Sequence, residues 1–104
     1  MDGKPLNLRF HRLVQKDVRA AMRYYEHESG RPLAEDFYRI FMTVAEAVAA
    51  HPQRYHFGPK GMRRANLKRY PYHFLFKESP QKVLIVVVRH HKQHPRFGLN
   101  RLPS

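Results

Sequence analysis

Four side chains in the second half of this sequence have the types and spacing to act on a phosphodiester. They are Arg64 and Lys68, four residues apart, and Arg89 and His91, two apart. Cleaving RNA without a metal needs a base near the 2′-hydroxyl, an acid near the leaving oxygen and cations to hold the charge on phosphorus; histidine, lysine and arginine can fill all three roles. In this assignment Arg64 and Lys68 hold phosphate, Arg89 stabilises developing charge, and His91 is the general acid or base. Period-two geometry puts Arg64, Asn66 and Lys68 on one face of a strand, opposite Arg63, Ala65 and Leu67. Whether Arg89 and His91 join them depends on strand register, and the same residues read equally well as solvated charges on an outer sheet face. Arg69, Tyr70 and Lys92 extend the nucleic-acid-binding set. Among the aromatics Tyr70, Tyr72, Phe74 and Phe76, which could stack on bases, Tyr70 is the one expected to be exposed, while Phe74 and Phe76 read as core.

Other chemistries find little support. The sequence has no cysteine, which removes disulfides, a thiolate-ligated zinc and a cysteine nucleophile. His90, His91 and His94 have a spacing that could bind a metal, but without cysteine or a nearby acid they read as ordinary surface histidines. A two-metal nuclease wants clustered carboxylates, and residues 51–104 hold a single acid, Glu78. Ser29, Ser79 and Ser104 lack the glycine context of a nucleophile elbow. No metal and no cofactor are expected.

The elements that must position the basic residues follow from periodicity. Leu6, Leu8 and Phe10 alternate with Asn7, Arg9 and His11, as in a strand with one buried face. From about Leu13 the period becomes helical, with Val14, Val18, Ala21, Met22 and Tyr25 on one side; of the adjacent Tyr24 and Tyr25, the latter has the better phase for the core. This helix should end near Ser29-Gly30. Pro32 suits the first turn of a second helix, with Leu33, Phe37, Ile40, Phe41, Val44 and Val48 on its apolar face and a stop by His51-Pro52. Joined by a turn of two or three residues, the two helices make an antiparallel hairpin. After a loop with Gly58, Pro59 and Gly61 come three strand candidates: Met62 to Lys68, Tyr72 to Phe76, and Val83 to Val88. The last, six consecutive apolar residues, suits a central strand buried on both faces. Tyr70-Pro71 and Glu78-Ser79-Pro80-Gln81 separate them by short turns. The expectation is an α+β fold: an N-terminal strand, a helix hairpin, then a three-stranded antiparallel segment completing a four-stranded sheet. Residues 1–104 read as one domain, with 89–104 a tail packed over an edge or face of the sheet through Phe97, Leu99 and Leu102.

Charge indicates the kind of partner. The formal net charge is +12, with eight Lys/Arg against seven acids in residues 1–50 and twelve against one in residues 51–104. A surface this uneven concentrates polyanions and repels itself unless a counter-charged partner covers it. Nucleic acid, ribosome or acidic protein fit. An anionic membrane fits the charge as well, but the basic half holds no basic amphipathic helix, and no membrane partner is expected. No apolar run approaches the roughly 20 residues of a membrane span, and Met1-Asp2-Gly3-Lys4-Pro5 has no signal-peptide character. The expected address is cytoplasmic.

Several stretches, in order, carry a resemblance. Asp17 to Tyr25-Glu26, followed by Gly30 and Leu33-Ala34-Phe37, is similar to the first helix and turn of the RelE/ParE toxin superfamily, the plasmid-stabilisation proteins. Arg63 to Tyr72, with its Tyr70-Pro71-Tyr72 turn, resembles that superfamily's second and third strands. Val86-Val87-Val88-Arg89-His90 with Pro95 resembles its last strand and the His-x-Arg-Arg-Asp-Pro ending of many ParE-like members. In that ending the basic-basic-acid set is here Lys92, Gln93 and His94, and the C-terminal tyrosine frequent in RelE-like ribonucleases is missing. The resemblance implies the toxin of a type II toxin–antitoxin module, held by an acidic, partly disordered antitoxin in a hetero-oligomer. Its target would be messenger RNA on the ribosome, as in RelE-like members, or DNA gyrase, as in ParE-like ones. If enzymatic, it would be a metal-independent endoribonuclease. The alternative is a non-toxic basic RNA- or ribosome-binding domain.

Overall fold

A computed structural model describes residues 5–102; Met1 to Lys4, on which part of the signal-peptide reading rests, and Pro103-Ser104 at the end of the tail lie outside them. The elements are β1 (Asn7–Phe10), α1 (Val14–Ser29), α2 (Arg31–Ala50), β2 (Arg63–Asn66), β3 (Tyr72–Glu78) and β4 (Lys82–His90), with single 3-10 turns at Pro52–Arg54, Pro59–Gly61 and Leu99–Arg101. The strands form one sheet in the order β1-β4-β3-β2. β3 pairs antiparallel with both β2 and β4 as expected, while β1 runs parallel to β4. A parallel neighbour demands a long crossover, which the helix hairpin supplies.

The hairpin lies on one face of the sheet. Val14, Val18, Ala21, Phe37, Phe41, Ala45 and Val48 meet Ala65, Leu67, Phe74, Phe76, Val83, Ile85 and Val88. Phe74 and Phe76 are fully buried, and Tyr25 packs on this core while Tyr24 is exposed. Phe10 departs from the alternation expected of β1: it packs beside Phe41 but stays 41% exposed, because it stands at the mouth of the helix–sheet seam. The helix–helix turn is also tighter than expected. Gly30 alone separates the helices, at φ 91 and ψ 171, a region essentially reserved for glycine, and its N–H closes α1 on Glu26 O.

β4 carries the decisive irregularity. Leu75 pairs with Val87 but Phe76 pairs with Ile85, so Val86 is an extra residue. Such a bulge shifts the side-chain alternation by one. Val83 and Ile85 face the helices before it and Val88 after it, while Val86 and Val87 face outward into a second core with Met62 and Leu75. The tail covers that second core through Leu99 and Leu102. Gly98 makes this close approach possible: it has φ 81, and a Cβ there would stand 2.6 Å from Val87 Cβ. Phe97 is an exposed neighbour rather than a buried anchor.

β1 ends where it pairs Phe10 with Ile85, which leaves the next groups on that edge of β4 without a strand. Side chains replace it. The Val88 N–H donates to Asp17 Oδ2 at 3.0 Å, and Arg101 Nη1 donates to Val86 O at 3.0 Å. Arg101 also grips both oxygens of Asp17, at 2.7 and 2.9 Å. The tail is thereby tied to α1 and to the central strand through a buried ion pair.

Candidate functional site

On the outer face, pairing lines up two rows. Arg64 lies beside Leu75 and Val87, and Asn66 beside His73 and Arg89. His91 follows β4 by one residue, its N–H held by Pro71 O. Arg64, Arg89 and His91, three of the residues expected from sequence to act together, therefore converge. Arg89 reaches this face only because of the bulge at Val86.

Their hydrogen bonds form a chain. Arg89 is buried; its Nη1 donates to Pro95 O at 2.6 Å and Phe97 O at 3.0 Å, and its Nε donates to His73 Nε2 at 2.9 Å. Burial, with the Arg64 and Arg89 guanidinium groups beside it, pushes the His73 ring down to about 3. His73 is therefore neutral, and since Nε2 accepts from Arg89, its proton sits on Nδ1. That proton is donated to His91 Nδ1, 2.9 Å away, with the two ring planes only 17° apart. Arg64 Nη2 points at the same His91 nitrogen from 3.4 Å, while Arg64 Nε donates to Asn66 Oδ1. Partial burial, Arg64 and His90 hold His91 below the ordinary imidazole value. His91 is thus neutral near pH 7, with its lone pair occupied and its own proton on Nε2. The cluster offers donors to an incoming group and no unoccupied imidazole lone pair.

The other residues expected in the site are placed elsewhere. Lys68 is exposed in the bend beyond β2, and Lys92 is exposed in the turn after His91. Arg69 has φ 70, and this left-handed residue turns the chain inward. As a result Tyr70, expected to be exposed, is buried among Tyr25 and Phe37 on the helix side. Its hydroxyl donates to Asp36 Oδ2 at 2.6 Å, and Arg69 donates to both Asp36 oxygens at 3.2 and 3.0 Å. Burial and the Asp36 bond push the Tyr70 phenol up to about 12, while the Tyr70 hydroxyl, Arg39 and Arg69 hold Asp36 below the usual carboxylate range. Strand alternation does not carry through a turn with a left-handed residue, which is why the exposed-ring reading of Tyr70 fails. His90 and His94 use Nδ1 to accept the N–H groups of Lys92 and Arg96.

His73, the centre of the chain of bonds, was not singled out from sequence. Its signal was parity: it alternates with Phe74 and Phe76, so once those are assigned to the core, His73 must face outward. Asp17 and Arg101, 84 residues apart, left no comparable signal.

A groove lies at the helix–sheet seam. It is an open groove of about 660 Å³ lined by apolar Phe10, Val14, Val18, Met22, Phe41 and Met42, with Arg12 and Arg19 also at its wall.

An α+β chain in which a helix hairpin joins a parallel strand pair, followed by antiparallel strands that complete the sheet, has the fold of the RelE/ParE superfamily. The ParE toxin family of type II toxin–antitoxin systems, parDE, matches residues 8–95, and the chain belongs to that family. It is accordingly the toxin component of such a system, and an antitoxin is its partner. A solved structure described as the chromosomal ParDE TA system from P. aeruginosa has the same fold: TM-score 0.73 at 17% identity, over 82% of this chain and 95% of the other. No curated protein sequence matches the chain. Among the described residues no helix is long and apolar enough to cross a membrane.

Proposed function

We propose that this toxin acts by binding rather than by cleavage, and that its target is DNA gyrase, as the ParE-like ending suggests. The observation that supports this reading is the occupied lone pair of His91. A general base must accept a proton from the nucleophile, yet His91 Nδ1 already accepts from His73 and faces Arg64. Swapping the proton to reverse the chain would leave His73 Nε2 protonated against the Arg89 Nε–H, a donor facing a donor. A neutral imidazole N–H is moreover a weak acid. Arg89 is committed to tail carbonyls, and a buried guanidinium tied in this way serves the architecture of the face. What remains, Arg64 and the His91 Nε2–H, suits a carboxylate or carbonyl of a protein surface.

Induced expression with messenger-RNA end mapping, run beside a gyrase supercoiling assay, tests this directly. The expected outcome is loss of supercoiling with intact transcripts, with toxicity weakened but not abolished in His91→Ala, which removes one of the two donors and leaves Arg64. Transcripts cleaved in the ribosomal reading frame, with His91→Ala harmless to the cell, would establish the endoribonuclease instead. Unaffected growth on overexpression would favour a plain RNA- or ribosome-binding domain.

For the antitoxin, the net charge of +12 favours an acidic segment that orders as it binds, giving a toxin–antitoxin hetero-oligomer. The groove beside Met22 and Met42, with Arg12 and Arg19 at its wall, fits an amphipathic segment bearing acids along one side. Met22→Asp should abolish antitoxin protection while toxicity persists, read as failure of the co-expressed antitoxin to rescue growth.

A further inference from the structure

The aromatic rings that alternate along β3 are turned into the core, but a different ring stands in solvent. Phe57 is 67% exposed, the most exposed large hydrophobic residue among those described, and it contributes to the fold through its backbone bridge to Arg63. Single exposed apolar residues are ordinary; this one has particular company. The Arg63 guanidinium carbon lies 4.1 Å from the Phe57 ring centroid, within cation–π range. Arg63 is itself fixed: Nη1 donates to Tyr55 O at 2.7 Å, and Nε lies 3.5 Å from Glu78. One face of the ring is thus backed by a positioned planar cation.

The surroundings are of one sign. From His51 to Lys77 the sequence has no acid, and Glu78, the first to follow, is taken by Arg63 and Gln53. Exposed Arg54, His56 and Lys60 flank Phe57 in the same segment. The Arg64 N–H is held by His56 O, which seats Arg64 next to this segment, and Arg64 Nη2 lies 3.4 Å from His91 Nδ1, so the positive strip runs round the outer edge of β2 to His91. Side-chain cations beside an aromatic platform are the pattern by which unpaired nucleotides are held: phosphates by charge, a base by stacking.

We infer that the 54–64 segment is a contact site for a single nucleic-acid strand, with an unpaired base stacked on Phe57 and the flanking phosphates held by Arg54, Lys60 and Arg64. The inference does not rest on the gyrase reading, since its test uses bare oligonucleotides and no enzyme target.

The sequence contains no tryptophan, so Phe57→Trp introduces a sole indole at the platform. Titrating this variant with a single-stranded DNA oligonucleotide, the same sequence as RNA and the DNA duplex should quench the indole strongly with one or both single strands and weakly with duplex. Comparing the two single strands identifies the source. In fluorescence anisotropy with a labelled single strand, Phe57→Ala should weaken binding about five- to a hundredfold while leaving the slope of affinity against salt unchanged, because no phosphate contact is removed. The exposed position makes folding of both variants straightforward to confirm by circular dichroism. Unquenched emission, or Phe57→Ala binding within twofold of the parent, would overturn the inference and leave the strip as a nonspecific polyanion surface or a protein-binding one. Equal weakening for single strand and duplex would overturn it as well.

Discussion

Replacing Arg101 by methionine tests the tie that holds the tail to the sheet. In the native chain the Asp17 and Arg101 side chains retain only 3% and 9% of their exposure. Arg101 satisfies both Asp17 oxygens and the Val86 carbonyl, and Asp17 in turn satisfies the Val88 N–H. Methionine fills much of the same space but strands a buried carboxylate and leaves the Val86 carbonyl unmet. Removing one partner of a buried pair costs about 3–5 kcal/mol, a large part of the roughly 5–15 kcal/mol that stabilises a typical domain. At about 4–8 °C per kcal/mol for a domain near this size, Arg101→Met should lower the melting temperature by on the order of 12 °C or more, followed by far-ultraviolet circular dichroism. Adding Asp17→Asn removes the stranded charge and keeps an acceptor for Val88, so the double variant should be more stable than Arg101→Met alone. An Arg101→Met cost below about 1 kcal/mol, the range of an exposed ion pair, would refute the reasoning. So would further loss of stability on adding Asp17→Asn.

Other consequences concern pH and packing. His73 takes up its proton only near pH 3 in the folded chain, whereas an unfolded chain protonates near 6.5. Between those values the unfolded state binds a proton that the native state refuses, so stability is complete above about pH 6.5 and falls as pH drops. The His73 contribution approaches about 1.4 kcal/mol per pH unit. The lowered His11 and His91 act with the same sign. Urea unfolding at a series of pH values should show this slope, and His73→Gln should flatten it. Gly98→Ala should destabilise by about 1–3 kcal/mol, since the new methyl meets Val87 at a left-handed backbone position; chemical denaturation reads this. In an alkaline ultraviolet titration, one phenol should ionise only near pH 12, and Tyr70→Phe should remove that step.

Local periodicity and punctuation were enough to specify the element order. The helical spacing from Val14 to Tyr25, the glycine and proline at 30 and 32, and the β-branched run at 83–88 each act on their immediate neighbours, so a linear reading captures them. The same logic separated Arg64 from Ala65 and Tyr25 from Tyr24. It could not count through β4, where the bulge at Val86 reverses parity and so decides that Arg89 faces His73 and not the helices. It also failed at Arg69, whose left-handed backbone carries Tyr70 into the core. The Asp17–Arg101 tie joins residues from opposite ends of the chain, and the protonation pattern of His73 and His91 depends on which groups stand within 3 Å of each ring nitrogen. Sequence alone dictated which residues are apolar, charged or conformationally permissive, since these are properties of single side chains. Which cations meet, which are locked and which imidazole nitrogen carries a proton were decided by tertiary structure, because they arise from pairings across the sheet that no local pattern encodes.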